Sequence, residues 1–286
     1  MTKVAILLPA YNEEVAIASM ILLSSRYADE VIVIDDGSTD RTAEVSELAG
    51  ATVLRHSTNQ GKGVALKTGF TYAKNFDIIV TIDADGQHNP SEIPSLIKPI
   101  EDGQADLVNG SRYINGKDTS TPKYRRVGQT VLDTATNMAS GVKLTDSQSG
   151  FRAFSSVCFK YFNFDPEGFG IESDMLIEAS NNNLRIMEVE ITVRYDVNTT
   201  TANPVVQGFS VLIRVLELMR LNRPLILYGI AGAIILFLGI LIYLTVNIVG
   251  LSNNLYLSAI GIFVILMGIV LILSGVLTDH FKHFKH

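Results

Sequence analysis

The chain has 286 residues, of which 23 are Lys or Arg and 29 Asp or Glu, for a formal net charge of −6. That balance, without a basic stripe in the polar part, argues against general nucleic-acid binding, and a single cysteine, Cys158, excludes an internal disulfide and agrees with a reducing compartment. Charged residues are common before position 223 and sparse after it, so composition divides the chain into one soluble domain and a membrane region.

Short runs rich in β-branched residues predict strands at 4–8, 31–34, 52–54, 78–82 and 106–109. Amphipathic stretches between them predict helices at about 13–24, 42–48, 63–74 and 91–100. Strands alternating with helices imply an α/β fold with a mostly parallel sheet covered by helices. Nothing in the first residues reads as a signal peptide, because the apolar run 4–8 is too short and leads directly into Pro9-Ala10-Tyr11-Asn12. Residues 114–126 read as a polar loop, 127–140 as an amphipathic helix, 145–152 as a polar turn, and 184–195 as a helix end followed by a final strand. Cys158, between Val157 and Phe159, reads as core filler.

Residues 208–221 place Phe209, Leu212, Ile213, Leu216 and Met219 on one helical face, with Arg214 and Arg220 able to reach lipid phosphates; an in-plane membrane helix over about 206–223 is expected. Two uncharged stretches follow, at about 225–249 and 255–277, each long enough to cross a hydrocarbon layer of about 30 Å. The link 251–254 is short, so the two form a hairpin. Arg214, Arg220 and Arg223 precede it and Lys282 and Lys285 follow it, which by the positive-inside rule places the soluble domain (1–205), both termini and the tail 279–286 in the cytoplasm.

Open parallel sheets bind ligands outside the carboxyl ends of their strands. Three polar clusters fall there: residues 9–14, 35–40 and 83–88. In the last, Asp83, Asp85 and Gln87 stand at alternate positions as the chain leaves a strand, so their oxygens can meet on one side. Such a set suits a hard cation, Mg²⁺ or Mn²⁺, that completes its shell with phosphate. His88 is placed to support this set by a hydrogen bond. The segment 59–63, Asn-Gln-Gly-Lys-Gly, opens a helix whose free N–H groups favour anions, although it lacks the P-loop spacing.

Taken in order, Pro9-Ala10-Tyr11-Asn12-Glu13, Asp35-Asp36-Gly37-Ser38, Asn59-Gln60-Gly61-Lys62-Gly63, Asp83-Ala84-Asp85-Gly86-Gln87, Gly110-Ser111-Arg112 and the run 146–152, Asp-Ser-Gln-Ser-Gly-Phe-Arg, resemble the family 2 glycosyltransferases of the GT-A, Rossmann-like fold, near the dolichyl-phosphate mannose and glucose synthases. The resemblance implies a sheet with helices on both faces and inverting, metal-dependent transfer of a hexose from a nucleotide sugar to dolichyl or another polyprenyl phosphate. It implies that Pro9, Tyr11, Glu13 and Asp36 line the nucleotide pocket, that Lys62 contacts the donor, and that Asp83, Asp85 and Gln87 hold the metal. Arg112, Arg126 and Arg194 match phosphate-binding arginines, with Arg125 an alternative to Arg126. Glu172 and Asp174 match an acidic motif that binds sugar hydroxyls, acts as a base toward a hydroxyl acceptor or caps a helix; with a phosphate acceptor a structural or sugar-positioning role is expected.

A polyprenyl phosphate is already an anionic nucleophile, so such a reaction needs positioning and charge neutralisation more than a base. Processive polysaccharide synthases, which use hydroxyl acceptors, share the N-terminal motifs but carry a Gln-Xaa-Xaa-Arg-Trp segment, and this chain has no Trp. A noncatalytic, membrane-tethered binding protein is the remaining alternative; the intact cluster of mutually repelling carboxylates argues against it. The donor is open between GDP-mannose, UDP-glucose and UDP-N-acetylglucosamine.

Overall fold

The computed structural model describes residues 2–114, 123–162, 171–194, 213, 216–217, 219–220, 223–248 and 255–283. They divide into two compact units, Met1–Val215 and Leu216–His286. The first holds β1 (Val4–Ala10), α1 (Ile17–Ser24), β2 (Glu30–Asp35), α2 (Thr42–Leu48), β3 (Thr52–Arg55), α3 (Lys62–Tyr72), β4 (Ile78–Thr81), α4 (Ile93–Glu101), β5 (Leu107–Ser111), α5 (Lys123–Ser140), β6 (Arg152–Ser155), α6 (Ile171–Asn181) and β7 (Ile186–Glu190). The strands form one sheet in the order β3-β2-β1-β4-β6-β5-β7. All pairings are parallel except those of β6, which runs antiparallel to β4 and β5.

Alternation along each strand feeds two cores, one on each face of the sheet. Val4, Ile6 and Leu8 of β1 pack with Ile17, Met20 and Ile21 of α1 and Ile93, Leu96 and Ile97 of α4. Ala5 and Leu7 face the other way and pack with Ala65, Leu66 and Phe70 of α3 and Met175 and Leu176 of α6. On this second face Phe70 meets Phe154, Phe159 and Phe162 edge-on, with centroid distances of 5.2, 5.6 and 6.1 Å.

Three differences from the sequence expectation share a cause: tertiary contacts displace local pattern. α1 begins at Ile17 rather than near Glu13, because residues 12–14 spend their backbone N–H groups on the β2 loop. α5 begins at Lys123, inside the stretch read as loop; residues 115–122 of that loop lie outside the described residues. The run 145–152 does not end as a turn, since Arg152 opens the antiparallel strand β6. Four residues that include a buried arginine carry no strand signature. α6 likewise lacks a polar face to mark it, because seven of its residues from Ile171 to Ala179 are buried.

The second unit contains α7 (Pro224–Ile248) and α8 (Leu255–His283). Pro224–Asn247 and Tyr256–His280 are long and apolar enough to cross a membrane. Their large side chains stay exposed, Phe237 at 66% and Phe263 at 65%, which distinguishes them from buried core helices. The two helices approach at backbone contact: a Cβ on Gly232 would lie 2.8 Å from the carbonyl oxygen of Gly268, and one on Gly268 would lie 2.6 Å from the Leu236 nitrogen. In lipid, where no hydrophobic force joins helices, such close packing is what holds a pair together. Most of the in-plane helix expected at 208–221, and the tail beyond His283, lie outside the described residues.

The Phe154→Ala replacement removes a fully buried ring that packs against Phe70 and Phe162, and about 3–5 kcal/mol of stability should be lost. The check is the urea midpoint of the detergent-solubilised chain, followed by near-ultraviolet circular dichroism.

Candidate active site

β1 lies between β2 and β4, so the chain leaves it toward β2 and β3 on one side and later returns to β4 on the other. At that topological switch point the strand-end loops splay apart and open a crevice. The loop after β1 is tied to the loop after β2. Asn12 holds a left-handed backbone (φ 56°), which asparagine tolerates. Its N–H donates to Ser38 Oγ at 2.9 Å, its Oδ1 accepts from the Thr39 N–H at 2.8 Å, and the Glu13 N–H donates to Thr42 Oγ1 at 2.8 Å. Pro9 pairs with Ile34 one residue before β1 ends at Ala10, and Tyr11 stands exposed beyond it.

Asp36 is buried and accepts three hydrogen bonds, from His56 Nδ1 at 2.7 Å and from the N–H groups of Gln60 (3.0 Å) and Gly61 (2.7 Å). It thereby fixes the segment that delivers Lys62 at the start of α3. A carboxylate has about four lone-pair sites, so any nucleotide contact would be additional to these.

Lys62 Nζ sits between two carboxylates, 2.6 Å from Asp83 Oδ1 and 2.8 Å from Glu172 Oε1. Burial opposes its charge, but Asp83 and Glu172 hold the ammonium well above the usual lysine range. Burial also opposes ionisation of Asp83, yet Lys62 and His88 hold that carboxyl well below its usual range. His88 Nε2 lies 3.5 Å from Asp83 Oδ2. Gly150 backs Asp83 so closely that a Cβ there would fall 2.5 Å from both carboxylate oxygens.

Asp85 receives the Gln87 N–H at 3.0 Å, and burial together with the charge of Asp83 raises its pKa. Burial, then Asp85, Asp40 and Asp83, push the Glu13 carboxyl up to about 7. This negative charge lacks enough compensation from the protein, which is the condition a divalent cation relieves. Among the described residues no three Asp, Glu, His or Cys side chains form a complete metal cage.

A short antiparallel bridge pairs His88 with Val193, and the Arg194 N–H donates to the Gln87 carbonyl at 2.9 Å. Arg194 is thus carried to the loop of Asp85 from more than a hundred residues away. Arg112 makes a two-pronged ion pair with Asp146, Nε to Oδ2 at 2.6 Å and Nη2 to Oδ1 at 2.7 Å. Tyr113 gathers the arginines: the guanidinium of Arg126 lies 3.6 Å above its ring centroid and that of Arg112 at 5.2 Å. The Tyr113 hydroxyl donates to Gln129 Oε1 on α5. Arg126 Nη1 is also 3.9 Å from Asp133, whose carboxyl burial pushes up to about 6.

Sequence reasoning passed over Tyr113 and Asp133, and it assigned Arg152 no role. Arg152 is 1% exposed and donates to Asn109 Oδ1 (2.8 Å), the Glu172 carbonyl (2.6 Å) and the Ser147 carbonyl (2.7 Å), so one side chain joins β5, the 146–150 turn and α6. Only Tyr113 left a signal, an aromatic directly after the arginine at a strand end.

A seven-stranded, mostly parallel sheet with acidic and basic side chains gathered at its switch point has the architecture of the GT-A-like fold. Residues 5–162 match the family model for glycosyl transferase family 2, and the chain belongs to that family. It is 35% identical over 237 residues to the UDP-N-acetylglucosamine–dolichyl-phosphate N-acetylglucosaminyltransferase of Methanococcus voltae, covering 74% of this chain and 94% of the relative. It is 32% identical to the undecaprenyl-phosphate mannosyltransferase of Micrococcus luteus, covering 66% and 83%. Among solved structures it is similar to glucosyl-3-phosphoglycerate synthase of Mycobacterium tuberculosis, crystallised with Mn²⁺, uridine-diphosphate-glucose and phosphoglyceric acid, with a TM-score of 0.59, 27% identity, and 76% and 79% of the two chains covered.

Two outcomes follow from this geometry. Gly150→Ala should displace Asp83 and slow sugar transfer about 100-fold, the scale of an ångström-sized misplacement, with a smaller effect on the thermal midpoint; initial rates and melting curves check both. Glu13 has a higher pKa folded (about 7) than its ordinary 4.5, so the folded state binds the extra proton. Its stabilising contribution is complete below pH 4.5 and is lost as pH rises through about 7. In EDTA the thermal midpoint should therefore fall over that range, and Glu13→Gln should flatten the fall.

Proposed function

We propose that this enzyme transfers a hexose from a nucleotide sugar to dolichyl or another polyprenyl phosphate, with inversion at the anomeric carbon. The observation that carries the proposal is the meeting, at one edge of the sheet, of the carboxylates Asp83 and Asp85 with Lys62 on one side and of Arg112 and Arg126 around Tyr113 on the other. Two phosphate-bearing substrates need two such stations.

Pro9, Tyr11, Glu13 and Asp36 line the nucleotide side, and Lys62 offers its ammonium to the diphosphate. Asp83, Asp85 and Gln87 would hold Mg²⁺ or Mn²⁺, which when bound neutralises charge on the departing nucleoside diphosphate. Arg112, Arg126 and Arg194 grip phosphate oxygens with planar forks that suit them. The acceptor is ionised before it arrives, so these residues orient it and offset repulsion between its phosphate and the diphosphate. The apolar hairpin keeps the enzyme at the bilayer where a polyprenyl phosphate resides, with the catalytic unit and both termini on the cytoplasmic side, as Arg214, Arg220, Arg223, Lys282 and Lys285 favour.

The test offers GDP-mannose, UDP-glucose and UDP-N-acetylglucosamine, each with Mn²⁺ or Mg²⁺ and undecaprenyl or dolichyl phosphate, to the detergent-solubilised chain. One donor should yield a β-linked lipid-phosphate sugar, EDTA should abolish the product, and Asp85→Asn should lower the rate at least ~100-fold with membrane insertion retained. A product of retained configuration, or none from any donor, would overturn the proposal.

A further inference from the structure

Glu172 occupies an unusual place for an acid in this site. It stands at the N-terminus of α6, with its backbone carbonyl held by the buried Arg152 and its side-chain oxygen 2.8 Å from Lys62 Nζ. A general base needs a free lone pair directed at the acceptor and a carboxylate not already committed to a cation. Glu172 instead shares the Lys62 ammonium with Asp83. Lys62 has a long stem that can turn into many rotamers, and a lone partner at Asp83 would fix one direction only. Two carboxylates from different elements, one at the end of β4 and one on α6, hold the ammonium at a single point of the crevice.

We propose that Glu172 is a positioning residue for Lys62, holding the ammonium in the crevice so that it meets the donor diphosphate, and that it takes no proton from the acceptor. The reading rests on the proposed role of Lys62 toward the nucleotide sugar and adds to it the residue through which that role depends on α6. Arg152 anchors the arrangement from below, since its hydrogen bond to the Glu172 carbonyl fixes the first turn of α6 relative to β5.

A base and a positioning residue respond differently to substitution. Losing a base lowers kcat by orders of magnitude whether or not Lys62 is present. Losing the positioning contact loosens donor binding and has no further effect once Lys62 is gone, because residues that act only through each other are non-additive.

The experiment is a double-mutant cycle of Glu172→Gln and Lys62→Met in the detergent-solubilised full chain, with Glu172→Asp as the conservative variant. Calorimetry measures binding of UDP and of GDP with Mn²⁺, and transfer to undecaprenyl phosphate gives kcat and KM for the active donor. Glu172→Gln should weaken binding of the preferred nucleotide and raise donor KM about 5- to 10-fold while kcat stays within about 3-fold, Glu172→Asp should recover part of the loss, and in the Lys62→Met background Glu172→Gln should change nothing further. Additive losses in the double variant, or a fall in kcat of a thousandfold with donor KM unchanged, would overturn the proposal. The nucleotide-binding arm is independent of the acceptor: a wild-type chain that binds UDP or GDP but makes no glycolipid contradicts the function proposed above, while the cycle on binding still decides the link between Glu172 and Lys62.

Discussion

At the carboxyl edge of the sheet the charges of Asp85, Asp40 and Asp83 act on Glu13, and the ammonium of Lys62 lies between the carboxylates of Asp83 and Glu172. Like charges a few ångströms apart in a half-buried site repel strongly. Lys62 offsets part of that repulsion; around Glu13 and Asp85, burial first and the neighbouring carboxylates second raise the carboxyl pKa values. This residual negative charge does nothing to stabilise the fold, and a divalent cation of the kind proposed above would relieve it. Stability is supplied elsewhere, by the two apolar cores on the faces of the sheet.

The arginines follow a complementary logic. Arg152 is buried and bonded only to neutral oxygens, and burial lowers its pKa to about 10 while the surrounding acids oppose the fall. Such a charge costs desolvation energy that three good hydrogen bonds and the field of nearby carboxylates offset. Arg112 is matched to Asp146, and Arg126 lies against Tyr113. An arginine held by a carboxylate on one edge is restricted in orientation and still presents a planar, permanently charged group. The antiparallel strand β6 makes this possible, because its reversed direction brings the 146–150 turn to the same edge as the ends of β4 and β5.

The family assignment sits comfortably with this division of labour. Relatives named for transfer to dolichyl and undecaprenyl phosphate share most of this chain's length, and a structurally similar synthase has been crystallised with Mn²⁺ and a uridine-diphosphate sugar. The names of those relatives differ in the sugar transferred and agree in a polyprenyl phosphate acceptor.

The sequence alone determined the α/β alternation, the placement of three polar clusters at strand ends, the two apolar helices and the family. These properties are local: strand and helix periods, turn residues and uncharged length are written in neighbouring positions. It did not disclose β6 or the extent of α6, since a four-residue strand and a helix buried on most sides show no amphipathic pattern. Nor did it disclose that Lys62 lies between Asp83 and Glu172, that Asp36 spends its oxygens on residues 56–61, that Asp146 engages Arg112, or that Tyr113 gathers two arginines. Apart from the adjacent Arg112 and Tyr113, those partners are separated by 13 to 110 positions, and their side chains meet because the fold brings their loops to one edge of the sheet. Which charges neutralise which is a property of distance in space, and tertiary structure alone sets that distance.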